Sequence, residues 1–66
     1  MDSENALEDK NIYRLISECE EEIAGWKRER RNHLYNHSYV IWCDKKIQFL
    51  EDELNRLIRR KEDLLN

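Results

Sequence analysis

The stretch KRERRNHLYNHSYVIW, Lys27 to Trp42, is where the apolar rhythm of the chain breaks, and its reading decides the fold. Upstream, Ile12, Ile16, Cys19, Ile23 and Trp26 step by four and three, the spacing of one helical face, and Arg30 and His33 continue the phase. Downstream, Val40, Cys43, Ile47, Leu50, Leu54, Leu57, Lys61 and Leu64 keep a heptad rhythm towards the C-terminus. The two series do not join: carrying the first past His37 and Val40 puts Asp44 in the seam where the second has Cys43. Asn32, Asn36, His37 and Ser38 fall inside this slip. All are weak helix formers, and Ser38 is a candidate N-cap for a second helix.

The spacing therefore predicts an all-α fold, an antiparallel, coiled-coil-like two-helix hairpin bent near residues 36–38, with arms from about Asp9 to Tyr35 and from Ser38 to Leu65. One continuous helix paired antiparallel with a second copy would give nearly the same residue pairing. The run of weak formers favours the hairpin. Residues 1–8 are polar and read as a frayed N-terminus, although Ser3 could cap an earlier start; residues 9–66 read as one domain.

A chain of 66 residues buries only about 60% of its unfolded surface, which leaves a small core and calls for a partner. Charged residues make up 41% of it, against a usual share of about 25%, with no proline and one glycine, Gly25. Such a profile suits long solvated helices and excludes a turn-rich sandwich or barrel. The net charge of -3 leaves no global cationic field to draw the protein to nucleic acid. No apolar run reaches the ~20 residues of a membrane span, and the acidic opening MDSENALEDKN is unlike a signal peptide. Met1 is read as a natural start, and the expected location is the cytoplasm. Cys19 and Cys43 are then thiols that pack as small apolar groups. In a hairpin they lie roughly 15 Å apart, too far for a bridge, which needs Cα atoms within about 7 Å.

Folding at the bend sets Trp26 level with Ile47 and Leu50, and Ile16 level with Leu57 and Ile58. Apolar residues remain outside that seam: Tyr13, Leu15 and Leu34 flank the first helix, while Trp42 and Phe49, two turns apart, share a stripe of the second. This is more apolar surface than a monomeric hairpin leaves wet. Dimerisation into a four-helix bundle would cover it, so Leu15, Tyr39, Trp42 and Phe49 are the candidate dimer-interface or protein-binding residues. Charge runs in bands. The basic residues Lys27, Arg28, Arg30 and Arg31 stand beside Lys45 and Lys46 near the bend, and Glu18, Glu20, Glu21 and Glu22 stand beside Glu51, Asp52 and Glu53. Arg56, Arg59, Arg60 and Lys61 lie near Arg14 at the open end. Like bands abreast in one hairpin would attract a second hairpin shifted along the axis.

His33 and His37, four apart, share a helical face with Cys43 beyond them, but no third ligand converges and no Cys-x-x-Cys is present, so neither metal nor cofactor is expected. A two-helix hairpin has no deep cleft, and no nucleophile here has a base beside it; no catalytic residue is expected. Nucleic acid is the second reading. Lys27, Arg28, Arg31, Lys45 and Lys46, interleaved with Tyr35, Tyr39 and Trp42, could contact phosphates and stack on bases.

The stretch CDKKIQFLEDELNRLI, Cys43 to Ile58, somewhat resembles the second helix of two small hairpins, the UVR-type interaction hairpin of excision repair and the sporulation aspartyl-phosphate phosphatases. The phosphatases carry a Ser-Gln-x-Leu-Asp motif. The corresponding Asp44-Lys45-Lys46-Ile47-Gln48 lacks both the Ser and the Asp, so no functional residue is carried over. In general form the chain also resembles the Rop-like dimers of hairpins, by architecture and not by motif. The expected function is that of a non-enzymatic helical regulator or adaptor that homo-oligomerises and binds a partner protein.

Overall fold

A computed structural model describes residues 11–65; the frayed end expected at residues 1–8, and the cap at Ser3, lie outside them. The described residues form two helices and no strand: α1, Ile12–Asn32, and α2, His37–Leu65, which run side by side in opposite directions. None of the described helices is long and apolar enough to cross a membrane.

The reversal occupies residues 33–36, slightly upstream of the expected bend. The His33 N–H donates to the Arg30 carbonyl at 3.2 Å, and the Asn36 N–H donates to the His33 carbonyl at 2.9 Å, so two orphan carbonyls are satisfied inside the turn. Arg30 and Arg31 sit in the last turn of α1, where cations complement the helix dipole. The cap of α2 is Asn36 and not Ser38. Its Oδ1 accepts the Tyr39 N–H at 3.2 Å, and its carbonyl accepts the Val40 N–H at 3.0 Å as the first helical bond. Ser38 is then already inside the first turn of the helix.

Five side chains are buried among the described residues: Ile12, Cys19, Ile23, Cys43 and Ile47. Cys19, Ile23 and Ile47 form the central cluster, with Trp26, Leu50, Leu54 and Leu57 packed against it. These are the seam positions read from the heptad phase. Both thiols are free, and the Cys19 Sγ–H donates to the Leu50 carbonyl at 3.2 Å across the helices. Burial, then the carboxylates of Glu22, Glu53 and Glu20, push the Cys19 thiol above its ordinary pKa. It therefore stays neutral and packs as an apolar group.

The charge bands need correcting at the level of single residues. Arg30 Nε meets Asp44 Oδ1 at 2.6 Å and Lys27 Nζ lies 3.9 Å from Glu51 Oε2, so the basic end of α1 is paired with carboxylates of α2 inside one hairpin. Both pairs are largely exposed, and exposed pairs contribute about 0–1 kcal/mol each.

Candidate functional site

A helix repeats its faces every three or four residues, and that rule divides the hairpin surface in two. One side of α1 presents Leu15, Glu18, Glu22, Gly25 and Glu29; the matching side of α2 presents Tyr39, Trp42, Lys46, Phe49 and Glu53. Two shallow grooves join them, and a third lies on α2 alone. Leu15, Glu18 and Glu22 line the first with Leu50, Glu53 and Leu57 of the other helix. Glu22 also belongs to the second, with Gly25, Trp26, Glu29 and Tyr39. Trp42, Lys45, Lys46 and Phe49 line the third. All four residues singled out from the sequence, Leu15, Tyr39, Trp42 and Phe49, thus lie along one side of the molecule.

The aromatics here are organised further than their spacing indicates. The Trp42 ring stands edge-on to Trp26, centroids 5.0 Å apart at 82°, and stacks on Tyr39 at 5.8 Å. Tyr39 in turn meets the His33 ring edge-on at 4.9 Å. His33 is fixed by Glu29: its Nδ1–H donates to the Glu29 carbonyl at 2.8 Å and lies 3.3 Å from the Glu29 carboxylate. A chain of four rings therefore runs from the turn into the seam. Partial burial, then Glu29 and the Cys43 thiol, push the Tyr39 hydroxyl above its ordinary pKa. The Lys46 ammonium sits 5.3 Å from the Trp42 centroid, a cation–π contact that covers one indole face. Even so Trp42 is 45% exposed and Phe49 63% exposed.

The five cations of the nucleic-acid reading are not gathered into one patch. Lys27 and Arg31 line a groove on the opposite side with Arg30, Leu34 and Asp44, and Lys27 is paired with Glu51. Lys45 and Lys46 flank Trp42 and Phe49, and Arg28 borders the groove of Gly25 and Tyr39. His33 and His37 also part company, because His33 ends α1 and turns to Glu29 while His37 opens α2. Among the described residues no three His, Cys, Asp or Glu side chains converge to hold a metal ion.

Sequence reasoning missed the ring chain, the groove at Gly25 and the two cross-helix ion pairs. Trp26 belonged to the seam series and Trp42 to an outer stripe, so their contact depends on ring reach, which periodicity does not report. Compared with protein families, with curated proteins and with solved structures, the chain matches none. Its function is argued from this surface alone.

Proposed function

We propose that the chain is a non-enzymatic helical regulator or adaptor of the cytoplasm, which works as a homo-oligomer, most simply a dimer forming a four-helix bundle, and binds a partner protein. The observation that carries this reading is the collection of Leu15, Tyr39, Trp42 and Phe49 on one side of the hairpin, around grooves that leave Trp42 and Phe49 wet. Only five side chains are buried among the described residues. A core so small hardly offsets chain entropy, whereas each further large side chain buried contributes about 1.5–3 kcal/mol. Light scattering coupled to size exclusion is the test. The expected result is a dimer mass at micromolar concentration that Trp42→Ala or Phe49→Ala converts to monomer. A helical wild type of monomer mass at every concentration would remove the oligomer from this reading.

A second reading, a nucleic-acid-binding hairpin, is favoured by the Tyr39–Trp42 stack beside Lys45 and Lys46, which offers ring faces and cations together. It requires retention of DNA or RNA that weakens steeply with salt and is lost when Arg28, Arg31 and Lys45 are changed to Glu.

A further inference from the structure

Gly25 is the one glycine of the chain, and it sits inside α1, where glycine weakens a helix relative to alanine. Nothing within one hairpin asks for it. No described residue has a positive φ, and a Cβ added at Gly25 would meet nothing within 4 Å. The missing side chain instead opens the groove between Trp26, Glu29 and Tyr39. A gap of this kind lets a flat ring from outside lie against the helix backbone, and the exposed ring at the same height is Trp42, which touches Trp26.

Charge fixes whose ring it is and how it arrives. The α1 edge of this side carries Glu18, Glu22 and Glu29 against one cation, Arg28, while the α2 edge carries the aromatics with Lys45 and Lys46 against one carboxylate, Glu53, so the first edge is net acidic and the second net basic. Two copies can meet on this side about a two-fold axis in either of two ways. An axis across the hairpin sets α1 against α1 and brings the Glu18, Glu22 and Glu29 edges together, which is repulsive. An axis along the hairpin sets each α1 edge against the α2 edge of the other copy, acid against base.

Resting on the oligomer reading above, we propose that a second copy docks with its bend at the same end, the Trp42 ring of each copy lying on Gly25 of the other. Three further pairings follow from helix geometry. Four residues along α2 from Trp42 is Lys46, and three back along α1 from Gly25 is Glu22; each step is about one turn, so Lys46 meets Glu22 of the second copy. In the other direction Tyr39 meets Glu29, three residues back and four residues on. The third pairing, Phe49 against Glu18 and its neighbour Leu15, puts the most exposed ring of the stripe under cover. The cross-helix ion pairs Lys27–Glu51 and Arg30–Asp44 lie on the opposite side and are left undisturbed.

Sedimentation equilibrium of wild type, Glu22→Lys, Lys46→Glu, Gly25→Leu and an equal mixture of the two charge variants tests this. Each charge variant alone is expected to weaken dimerisation about tenfold or more, because it sets like charges together across the interface twice. The mixture regains wild-type affinity, since the lysine introduced in one chain then faces the glutamate introduced in the other, and the remaining pair, native Lys46 against native Glu22, is also opposite in sign. That regain occurs only between chains, whereas pairing within one hairpin leaves the mixture as weak as its components. Gly25→Leu is expected to weaken the dimer by a similar factor while circular dichroism stays fully helical. A wild-type dimer that Trp42→Ala dissociates but that ignores Glu22→Lys, Lys46→Glu and Gly25→Leu overturns this arrangement and leaves the oligomer reading standing. A monomeric wild type overturns both.

Discussion

Ile47 and Ile41 lie six residues apart on α2, chemically identical and differently placed, so truncating each to alanine isolates the energy of the seam. Ile47 is 9% exposed and packs in the central cluster with Cys19 and Ile23, whereas Ile41 is 49% exposed. Removing three carbons from a buried isoleucine forfeits about 0.8 kcal/mol each, or about 2.4 kcal/mol, and the cavity left behind raises the loss to about 3–4 kcal/mol. At Ile41 about half of that transfer term is already absent, no closed cavity forms, and alanine is the better helix former, so the cost stays below about 1 kcal/mol. A domain of 66 residues has a total stability of about 3–10 kcal/mol, so Ile47→Ala consumes much of it and Ile41→Ala little. Urea titration followed by circular dichroism reads the two costs directly, at one fixed protein concentration because the proposed dimer would add to stability by mass action. Equal midpoints for the two variants would refute the seam assignment for α2.

Asn36→Ala should cost about 1 kcal/mol, the usual loss on removing an N-cap, while Ser38→Ala costs little; thermal melts of the two variants give the comparison. Cys19 supplies a pH dependence. Its folded pKa is raised, so the unfolded chain loses the proton first; the contribution is complete below the unfolded thiol value of about 8.5 and declines as pH climbs towards the folded value. Stability measured across the alkaline range should therefore fall, and Cys19→Ala should flatten that fall. Asp44→Ala, which breaks the exposed pair with Arg30, should cost under about 1 kcal/mol at low salt and nothing measurable in molar salt.

The seam was legible because burial leaves a periodic mark on the sequence, and Cys19, Ile23, Cys43 and Ile47 carry it without interruption. The end of the turn was harder. Asn36 and Ser38 are equally good capping residues, and the choice between them depends on which side chain faces the open N–H of Tyr39, a matter of backbone direction and not of residue type. The common side of Leu15, Tyr39, Trp42 and Phe49 needs both helices at once, since it comes from two stripes joined across the seam. Charge bands failed for a related reason. Averaging over a turn and a half hid Asp44 among lysines, yet that single carboxylate is what Arg30 finds at 2.6 Å.

The turn at residues 33–36 reverses the chain without any backbone angle reserved for glycine, since positive φ is absent among the described residues. Leu34 and Tyr35 therefore need no residue with a special backbone angle, and Tyr35, 84% exposed, makes only a tilted ring contact with His33 at 6.0 Å. Two groups of Asn36 hold the reversal, its side-chain amide as the cap of α2 and its N–H on the His33 carbonyl, and an insertion after Leu34 opens only the second. Loop closure grows more costly by only about 0.6 kcal/mol for each doubling of length. A foreign peptide spliced between Leu34 and Tyr35 would thus be carried between the ends of two paired helices. The same latitude leaves evolution free to vary this tip in length and composition while the helices below it keep their pairing.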